Sequence, residues 1–407
     1  MTLQTAPILN HPSARFVKRA TLGGGRYNRW MSKQLLGGLA PRTFLQRHWQ
    51  KRPLLIRGAV PGFRNLLSVE QLYELAARDD CEARLIGREG RKWDMEPGPF
   101  DPQVYAKLPP RRWTLLVQGL NHFLPAADAL LRRFDFIPYA RLDDVMVSYA
   151  VKGGGVGPHI DSYDVFLLQG EGRRRWRISS QRDIELDERA PIRVMKSFKP
   201  EQEWVLEPGD MLYLPPGVPH DGVALDPCMT YSIGFRAPSA QELATQFLDF
   251  MQERICLDGM YRDPHLRVSR NPAQIGDDFI GQTEAMLARI RWSRRDVEDF
   301  LGSYLSEPKP HIHFERPRRL LPPERFAQSA ARRGLRLAPT TGMLYRRDRW
   351  YVNGEMLPAE PAWRPTLRRL ADSRALPPGT PLPPELLTHL HEWYEAGYLL
   401  IGAEARS

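Results

Sequence analysis

Two short segments of the chain carry the residue types that can hold a catalytic metal. In the first, "GGGVGPHIDS", His159 and Asp161 stand two residues apart. In a β-strand such residues project from the same face, so the imidazole and the carboxylate can meet at one centre. The glycines before them permit a sharp turn or a close backbone approach. A neutral imidazole with a carboxylate suits a first-row divalent metal, although this pair alone is a weak signal because it also occurs by chance.

The second segment, "EPGDMLYLPPGVPHDG", adds a histidine after an apolar strand and a rigid turn. The Pro-Pro-Gly sequence at residues 215–217 should hold His220 at the edge of a strand. Two histidines and one carboxylate on adjacent strands form a facial triad, which leaves three metal positions open and is typical of non-haem Fe(II) oxygenases. Structural zinc sites usually close with four ligands. Iron is therefore the favoured metal, and zinc and manganese are the alternatives.

The open metal positions need an occupant, and the segment "RRRWRI" offers cations for it. A 2-oxo acid would take two positions and dioxygen the third, and the far carboxylate of a dicarboxylate would pair with an arginine. In a strand, Arg174, Trp176 and Ile178 share one face. Because the tryptophan and the isoleucine look core-facing, we expect Arg174 to point inward. The alternative is that all four arginines form a solvated face.

The expected register around these arginines contains a conflict. A simple hairpin about Glu171 pairs Arg174 with Leu168, which does not bring the arginine to the face of His159 and Asp161. The strand must then be irregular between Ser162 and Asp164, or the hairpin register must differ by one residue.

The charge of the chain is uneven. The net charge is +10, and the first 64 residues hold 12 Lys and Arg while the first acidic residue is Glu70. The remaining 46 basic and 48 acidic residues nearly cancel. This N-terminal excess predicts a solvated basic arm or a patch for an RNA-rich partner, and a transit peptide is the third alternative.

Composition limits the class of protein and its compartment. A chain of 407 residues exceeds one compact core, so two or three domains are expected. Its three cysteines are widely spaced and form neither a disulfide framework nor a CxxC metal site, which favours a reducing compartment. No apolar run is long enough for a membrane span, and no secretory signal opens the chain. We expect a cytoplasmic protein that has no contact with a membrane.

The elements that must position these residues follow from periodicity. The pattern predicts helix for "PRTFLQRHW" and for the Ser-capped "SVEQLYELAARDD", a strand for "RPLLIRG", and a strand followed by a helix for "WTLLVQGLNHFLPAADALLRRF". Short strands with Gly/Pro turns fill residues 143–238, as in a sandwich or barrel. Helical patterns follow over residues 239–306. After a Pro/His linker, "GMLYRRDRWYVNGEMLP" reads as a hairpin and "PELLTHLHEWYEAGYLLIG" as a helix and a strand.

These segments together identify a family. "GPHIDSYDVFLLQGEGRRRWRI", "EPGDMLYLPPGVPHDG" and "YSIGFRAP" closely resemble the JmjC-type ribosomal oxygenases of the cupin superfamily, and most closely the bacterial branch that hydroxylates an arginine of ribosomal protein L-sixteen. The likeness runs from about Phe44 to the C-terminus. It implies an α+β fold in which a double-stranded β-helix, or jelly roll, is followed by a helical dimerisation region and a winged-helix-like domain. The domains expected from the resemblance are the JmjC/cupin catalytic domain (36–238), the helical region (239–310) and the winged-helix-like domain (311–407). The charge pattern adds a basic extension (1–35), which is not a feature of the family.

The resemblance also implies the chemistry. His159, Asp161 and His220 match the family's catalytic iron ligands, and Arg174 matches its 2-oxoglutarate-binding arginine. The expected reaction is 3-hydroxylation of an arginine in a large-subunit ribosomal protein, with Fe(II) as cofactor and 2-oxoglutarate and dioxygen as co-substrates. A homodimer is expected, and DNA is not expected as a partner. The alternatives are a ribosomal histidine hydroxylase, a JmjC-type N-methyl demethylase, and a non-enzymatic cupin or nucleic-acid-binding protein.

A cationic arginine substrate would require acidic or aromatic side chains near the metal. Tyr163, Asp164, Tyr149 and Asp221 are candidates by proximity in sequence, and for each of them a structural role is an equal alternative.

Overall fold

A computed structural model describes residues 8–9 and 35–402. The predicted basic extension before Leu36 therefore lies almost wholly outside the described residues. The α-helices are α1 (Pro41–Arg47), α2 (Val69–Ala76), α3 (Leu120–Phe123), α4 (Pro125–Arg132), α5 (Ala240–Gln252), α6 (Asp277–Leu287), α7 (Arg294–Ser306), α8 (Pro323–Arg333), α9 (Arg364–Ser373) and α10 (Pro384–Glu395). Short 3-10 helices span Pro102–Lys107 and Tyr139–Arg141.

The strands fall into four sheets. They are β1 (Ile8–Leu9), β2 (Leu54–Ile56), β3 (Ala83–Glu89), β4 (Lys92–Pro97), β5 (Trp113–Val117), β6 (Leu142–Ala150), β7 (Val165–Glu171), β8 (Arg174–Ile178), β9 (Gln202–Leu206), β10 (Met211–Leu214), β11 (His220–Ala224), β12 (Cys228–Phe235), β13 (Leu335–Leu337), β14 (Met343–Arg346), β15 (Arg349–Val352), β16 (Glu355–Pro358), β17 (Ala375–Leu376) and β18 (Leu399–Ile401). Apart from the parallel pair β1 and β2, neighbouring strands are antiparallel.

A large sheet and a small sheet form the catalytic domain. The large sheet has the order β1-β2-β10-β7-β12-β6-β5-β3-β4, and the small one the order β11-β8-β9. A buried apolar layer joins the two sheets and includes Leu167, Trp176, Ile178 and Leu212. The opposite face of the large sheet packs on helices α1 to α4 through a larger aromatic core that contains Phe44, among others. This arrangement is the predicted jelly roll.

The hairpin predicted about Glu171 is wrong. Strand β7 pairs with β10 and β12 in the large sheet, whereas β8 pairs with β9 and β11 in the small sheet. The chain crosses between the sheets at Gly172, whose φ is 60° and whose position leaves no room for a side chain, because a Cβ there would lie 2.1 Å from the Pro227 carbonyl oxygen. The register conflict of Arg174 therefore disappears, because Leu168 is not its neighbour.

The predicted start of the second helix is confirmed in detail. The Ser68 side chain accepts a hydrogen bond from the Gln71 N–H, and the Gln71 side chain accepts one from the Ser68 N–H. This reciprocal capping satisfies two backbone donors that the first turn of a helix leaves open.

The region after the catalytic domain is helical, as predicted, but its middle is not. Helices α5 and α7 pack together through Phe247, Phe250 and Phe300. Residues 253–276 between α5 and α6 hold no regular element. Several large apolar side chains in this region are exposed to solvent and do not contribute to the core of the chain. Exposed apolar patches of this kind mark interaction surfaces.

The C-terminal domain has its own core around Trp350 and Leu390. The predicted hairpin is part of a three-stranded meander, β14-β15-β16, because the chain turns once more after Val352 and "EMLP" forms the third strand. Strands β17-β13-β18 form a second small sheet beside helices α8 and α10. In the described part of the chain, no helix combines the length and the apolar character that a membrane crossing requires.

Candidate metal and co-substrate site

The structure brings together the three side chains that the sequence predicts as metal ligands. One ligand atom from each of His159, Asp161 and His220 lies within 4.8 Å of the others. The Asp161 carboxylate lies between the rings, with Oδ1 at 3.8 Å from His159 Nε2 and Oδ2 at 3.6 Å from His220 Nε2. This spacing suits one metal ion held by two nitrogens and one oxygen. Among the described residues this is the one such cluster of histidine, cysteine and carboxylate side chains.

The hydrogen bonds of the two imidazoles leave their inner nitrogens free. His159 Nδ1 lies 2.9 Å from the Gly157 carbonyl oxygen, and His220 Nδ1 lies 2.9 Å from the Val218 carbonyl oxygen. A carbonyl only accepts, so each Nδ1 carries the proton and donates it. Each Nε2 then presents a lone pair to the centre, as a metal ligand must.

Burial keeps His220 neutral. Its side chain is buried, and burial followed by the neighbouring His159 lowers the pKa of His220 to about 4. A neutral imidazole binds a metal cation, whereas a protonated one repels it. Two imidazole nitrogens and one carboxylate oxygen, with His220 in its neutral form, therefore fit a divalent first-row metal.

The backbone holds the two metal-binding segments against each other. The predicted strand around His159 is reduced to a single antiparallel bridge with His220, because the chain bends on both sides of it. The Gly217 N–H donates to the Asp161 carbonyl oxygen at 2.8 Å, so the Pro-Pro-Gly turn also fixes the carboxylate segment. The predicted close approach at the glycines is confirmed at Gly155, where a Cβ would lie 2.3 Å from the Gly222 carbonyl oxygen.

Arg174 points inward, as its strand face predicts. Along β8 the burial alternates, and Arg174, Trp176 and Ile178 are buried. The Arg174 Nη1 donates to Ser148 Oγ at 2.9 Å and is 3.3 Å from Thr230 Oγ1. Its Nε is buried without a hydrogen-bond partner, and in the described part of the chain no carboxylate forms an ion pair with its guanidinium.

Such an arginine is suited to a carboxylate that comes with a ligand. A buried cation without a counter-ion is costly, and a carboxylate would pair with the planar fork. Because Arg174 and the metal triad line the same cavity of about 670 Å³, one molecule can reach both. The cavity thus suits a small dicarboxylate that also binds the metal.

Pocket-lining residues that the sequence reasoning missed lie on alternate positions of β6. Asp144, Met146 and Ser148 line the cavity, and the neighbouring Asp143 also contributes to its lining. The alternation "DxMxS" was the available signal, but it identifies a cavity face only once the partner of β6 is known.

Asp144 is the acid of this wall that lacks a counter-ion. It accepts the Gly119 N–H at 2.9 Å and forms no ion pair within the described residues. Burial, followed by the charge of Asp143, raises the pKa of Asp144 to about 6. By contrast, Asp143 lies 3.1 Å from Lys309 Nζ and 3.6 Å from Arg236 Nε. Asp144 is therefore the carboxylate with unused capacity for a cation.

The four substrate contacts inferred from proximity do not all reach the cavity. Tyr163 lines it. Asp164 is fully buried elsewhere and accepts from Tyr213 Oη at 2.6 Å. Asp221 pairs with Arg177, and Tyr149 lies on the odd-numbered face of β6, which packs into the core. For these three the structural alternative holds, because closeness in sequence does not select a strand face.

Comparisons with known proteins agree with this geometry. A JmjC domain model matches residues 129–243, and a ROXA-like winged helix model matches residues 289–400. The latter match begins ahead of the expected domain boundary at residue 311. The ribosomal protein uL16 3-hydroxylase of Escherichia coli is 35% identical over 338 residues, which are 82% of this chain and 89% of that protein. A probable ribosomal oxygenase of Haemophilus influenzae is 37% identical over 57% of this chain and 56% of that protein.

Solved structures give the same result. A crystal structure of E. coli YcfD covers 89% of this chain and 98% of its own, with a TM-score of 0.78 and 33% identity. The structure of the ribosomal oxygenase YcfD in complex with cobalt and 2-oxoglutarate matches with a TM-score of 0.76 over 90% of this chain and 99% of its own. The fold and the ligand chemistry expected of the cavity are thus those of a metal-dependent 2-oxoglutarate enzyme.

Proposed function

Because this chain belongs to the JmjC-type ribosomal oxygenases, which depend on a metal and 2-oxoglutarate, we propose that it hydroxylates C-3 of an arginine side chain in ribosomal protein uL16. The observation that carries the proposal is the single cavity that contains the metal triad, the unpaired Arg174 and the unpaired Asp144. We place the reaction in the cytoplasm and do not propose DNA as a partner.

In this proposal the chain's residues hold and orient the reactants. His159, Asp161 and His220 hold Fe(II) through their inner atoms, and Arg174 pairs with the far carboxylate of 2-oxoglutarate. Ser148 and Thr230 fix the guanidinium of that arginine through its Nη1. The bound iron, with 2-oxoglutarate and dioxygen, supplies the oxidation that inserts one oxygen atom into a C–H bond and yields succinate and CO2.

The cavity wall supports a cationic substrate side chain. Asp144 is nearly buried, without a cation of its own, and it faces the cavity from β6. An arginine guanidinium donates two parallel hydrogen bonds to a carboxylate, so the geometry of the two groups matches. Tyr163, partly exposed at the same cavity, adds an aromatic surface for the guanidinium plane.

The experiment that tests the proposal is mass spectrometry of ribosomal proteins from cells with and without the gene. We expect one arginine of uL16 to lose a single-oxygen increment in the strain that lacks the gene. Loss of the increment from a histidine of another ribosomal protein would favour the histidine hydroxylase. A methyl group retained in the deletion strain, with no oxygen increment lost, would favour the demethylase.

The proposed guanidinium contact predicts a specific defect for Asp144→Asn. The variant keeps the shape but loses the charge, so we expect kcat/KM for a uL16 peptide to fall by about thirtyfold or more, which corresponds to about 2 kcal/mol. Asp143→Asn serves as the matched control and should change this value much less, since Asp143 is already paired with Lys309 and Arg236. Equal losses in both variants would contradict the assignment. The measurement is peptide turnover at saturating 2-oxoglutarate.

The same carboxylate predicts a pH dependence. Below the raised pKa of Asp144, about 6, the group is neutral and cannot pair with the guanidinium, so kcat/KM should fall as the pH drops through that region. In Asp143→Asn the repelling neighbour is gone, Asp144 ionises more readily, and the acid limb should move to lower pH. An acid limb that stays unchanged in this variant would argue against Asp144 as its source.

We also propose that the chain forms a homodimer through its helical region. The exposed apolar side chains there include Leu248, Met260, Val268, Phe279, Ile280 and Leu287. Such a concentration is typical of a protein interface. Light scattering should show a dimer at micromolar concentration, and F279D/I280D should yield a monomer. M356D, at an exposed site of the winged-helix domain, should stay dimeric; a monomeric wild-type chain would contradict the proposal.

A further inference from the structure

A second cavity, separate from the one that contains the metal triad, lies where the linker meets both domains. Its volume is about 800 Å³, and it is lined by the loop at Arg78, by His122 to Pro125, by the linker at residues 311–321, and by the end of α8 with β13. The arginines that line it are Arg78, Arg316, Arg319, Arg333 and Arg336. We call it the arginine groove. It shares no lining residue with the metal cavity.

Four of the five groove arginines form no ion pair within the described residues, whereas Arg78 pairs with Asp80. In the catalytic domain, Arg173 pairs with Asp226 and Arg189 with Asp187. Residues 316–336 contain seven arginines and one glutamate, and in the described part of the chain none of the seven forms an ion pair. The acidic residues that line the groove are Asp80 and Glu315, which do not balance its five arginines. This face therefore attracts an anion of several charges.

The wall that carries these arginines is fixed in place. His391 Nε2 lies 2.7 Å from the Leu321 carbonyl oxygen, and Tyr394 Oη donates to the Arg319 carbonyl oxygen. Gly397 lies so close to the linker that a Cβ there would be 2.6 Å from the Glu315 carbonyl oxygen. The linker thus forms a defined surface on α10, which lowers the ordering cost of binding.

Two further features suit a nucleic acid. Phe314 lines the groove and contacts Tyr398, with ring centroids 4.5 Å apart, so an aromatic surface lies beside the cations. His122 also lines the groove, and its buried Nδ1 has no hydrogen-bond partner among the described residues. Grooves for single-stranded nucleic acid combine cations along the phosphates with aromatic rings for the bases.

From these contacts we infer that the arginine groove binds single-stranded RNA through its phosphates. The choice of RNA rests on the proposed ribosomal substrate, which lies among RNA strands, whereas the cationic groove is independent of it. Binding there would anchor the enzyme beside its protein substrate without touching the metal cavity.

The test is fluorescence anisotropy of a labelled oligouridine of about 12 nucleotides with the full chain, between about 50 and 300 mM KCl. We expect R316S/R319S/R333S to bind at least about tenfold more weakly at low salt. The slope of log K against log salt should fall by about two, since three phosphate contacts are lost at about 0.7 each. R369S, an exposed arginine of α9 outside the groove, should bind within about twofold of wild type.

Two results of the RNA titration would contradict the inference. Absence of binding by the wild-type chain at the lowest salt, or equal affinity and slope in the triple variant, would overturn the inference. Displacement of the RNA by an equal concentration of polyglutamate would show an acidic-peptide surface instead. Turnover of a uL16 peptide without RNA should be the same in wild type and triple variant, which verifies the fold. If neither turns the peptide over, the proposed function fails while the RNA result stands.

Discussion

Asp161→Ala should give a folded protein that has lost its iron-dependent turnover. The carboxylate is the ligand that lies between the two imidazoles, so its removal leaves two neutral nitrogens and no charge to oppose that of the metal. We expect turnover to fall at least about a thousandfold, which corresponds to about 4 kcal/mol of transition-state stabilisation. The fold should survive, because Asp161 is partly exposed and its backbone contact with Gly217 does not need the side chain.

The measurement is succinate formation at limiting and at saturating Fe(II), together with the unfolding temperature. Asp187→Ala is the matched control, since it removes another aspartate whose partner is an exposed arginine. That control should keep its rate. Wild-type turnover of Asp161→Ala at low iron would falsify the ligand assignment.

Arg174→Met should raise the KM for 2-oxoglutarate strongly while Arg173→Met leaves it nearly unchanged. The methionine keeps much of the length of the side chain and loses the fork, so a carboxylate of the co-substrate would be buried without a partner. Loss of one partner of such a buried pair costs about 2–5 kcal/mol, a rise in KM from about thirtyfold to several thousandfold. Arg173 directly precedes Arg174 in the chain, but it is half exposed and pairs with Asp226.

The two variants distinguish an effect of the inward orientation of Arg174 from an effect of any positive charge in this part of the chain. The two residues are adjacent in sequence and both variants remove one positive charge, so a general electrostatic effect would appear in both. Steady-state kinetics with varied 2-oxoglutarate measures the difference. Similar KM values for the two variants would show that Arg174 does not contact the co-substrate.

Local pattern predicted those parts of the site that depend on neighbouring residues in sequence. The spacing of His159 and Asp161, the Pro-Pro-Gly turn before His220 and the alternation along β8 each concern a few consecutive residues, and the structure brings all of them to one cavity. The strands of the jelly roll and the helices and strands of the C-terminal domain were also predicted, from apolar periodicity and turn residues.

Long-range pairing explains what the sequence did not reveal. Ser148 and Thr230 meet Arg174 because β6 and β12 pair at that register, and no local signal encodes a pairing over more than 80 residues. The hairpin about Glu171 failed for the same reason: adjacent strands joined by a short turn usually pair, but here each found other partners. Asp144 was missed because its importance depends on Asp143 being paired with a residue from the linker.

The small sheet connects the metal-binding residue His220 to Arg174, the residue proposed to bind the far carboxylate of 2-oxoglutarate. Arg174 faces Ala224 and Ile178 faces His220 in the ladder of β8 and β11, and His159 is bridged to His220 in turn. Backbone hydrogen bonds inside one strand pair therefore set the span between the backbones of His220 and Arg174, while Ser148 and Thr230 of the large sheet direct the guanidinium. The length of dicarboxylate that the cavity accepts therefore depends on the position of the small sheet relative to the large one, because the strand pair carries the arginine and the large sheet holds its guanidinium.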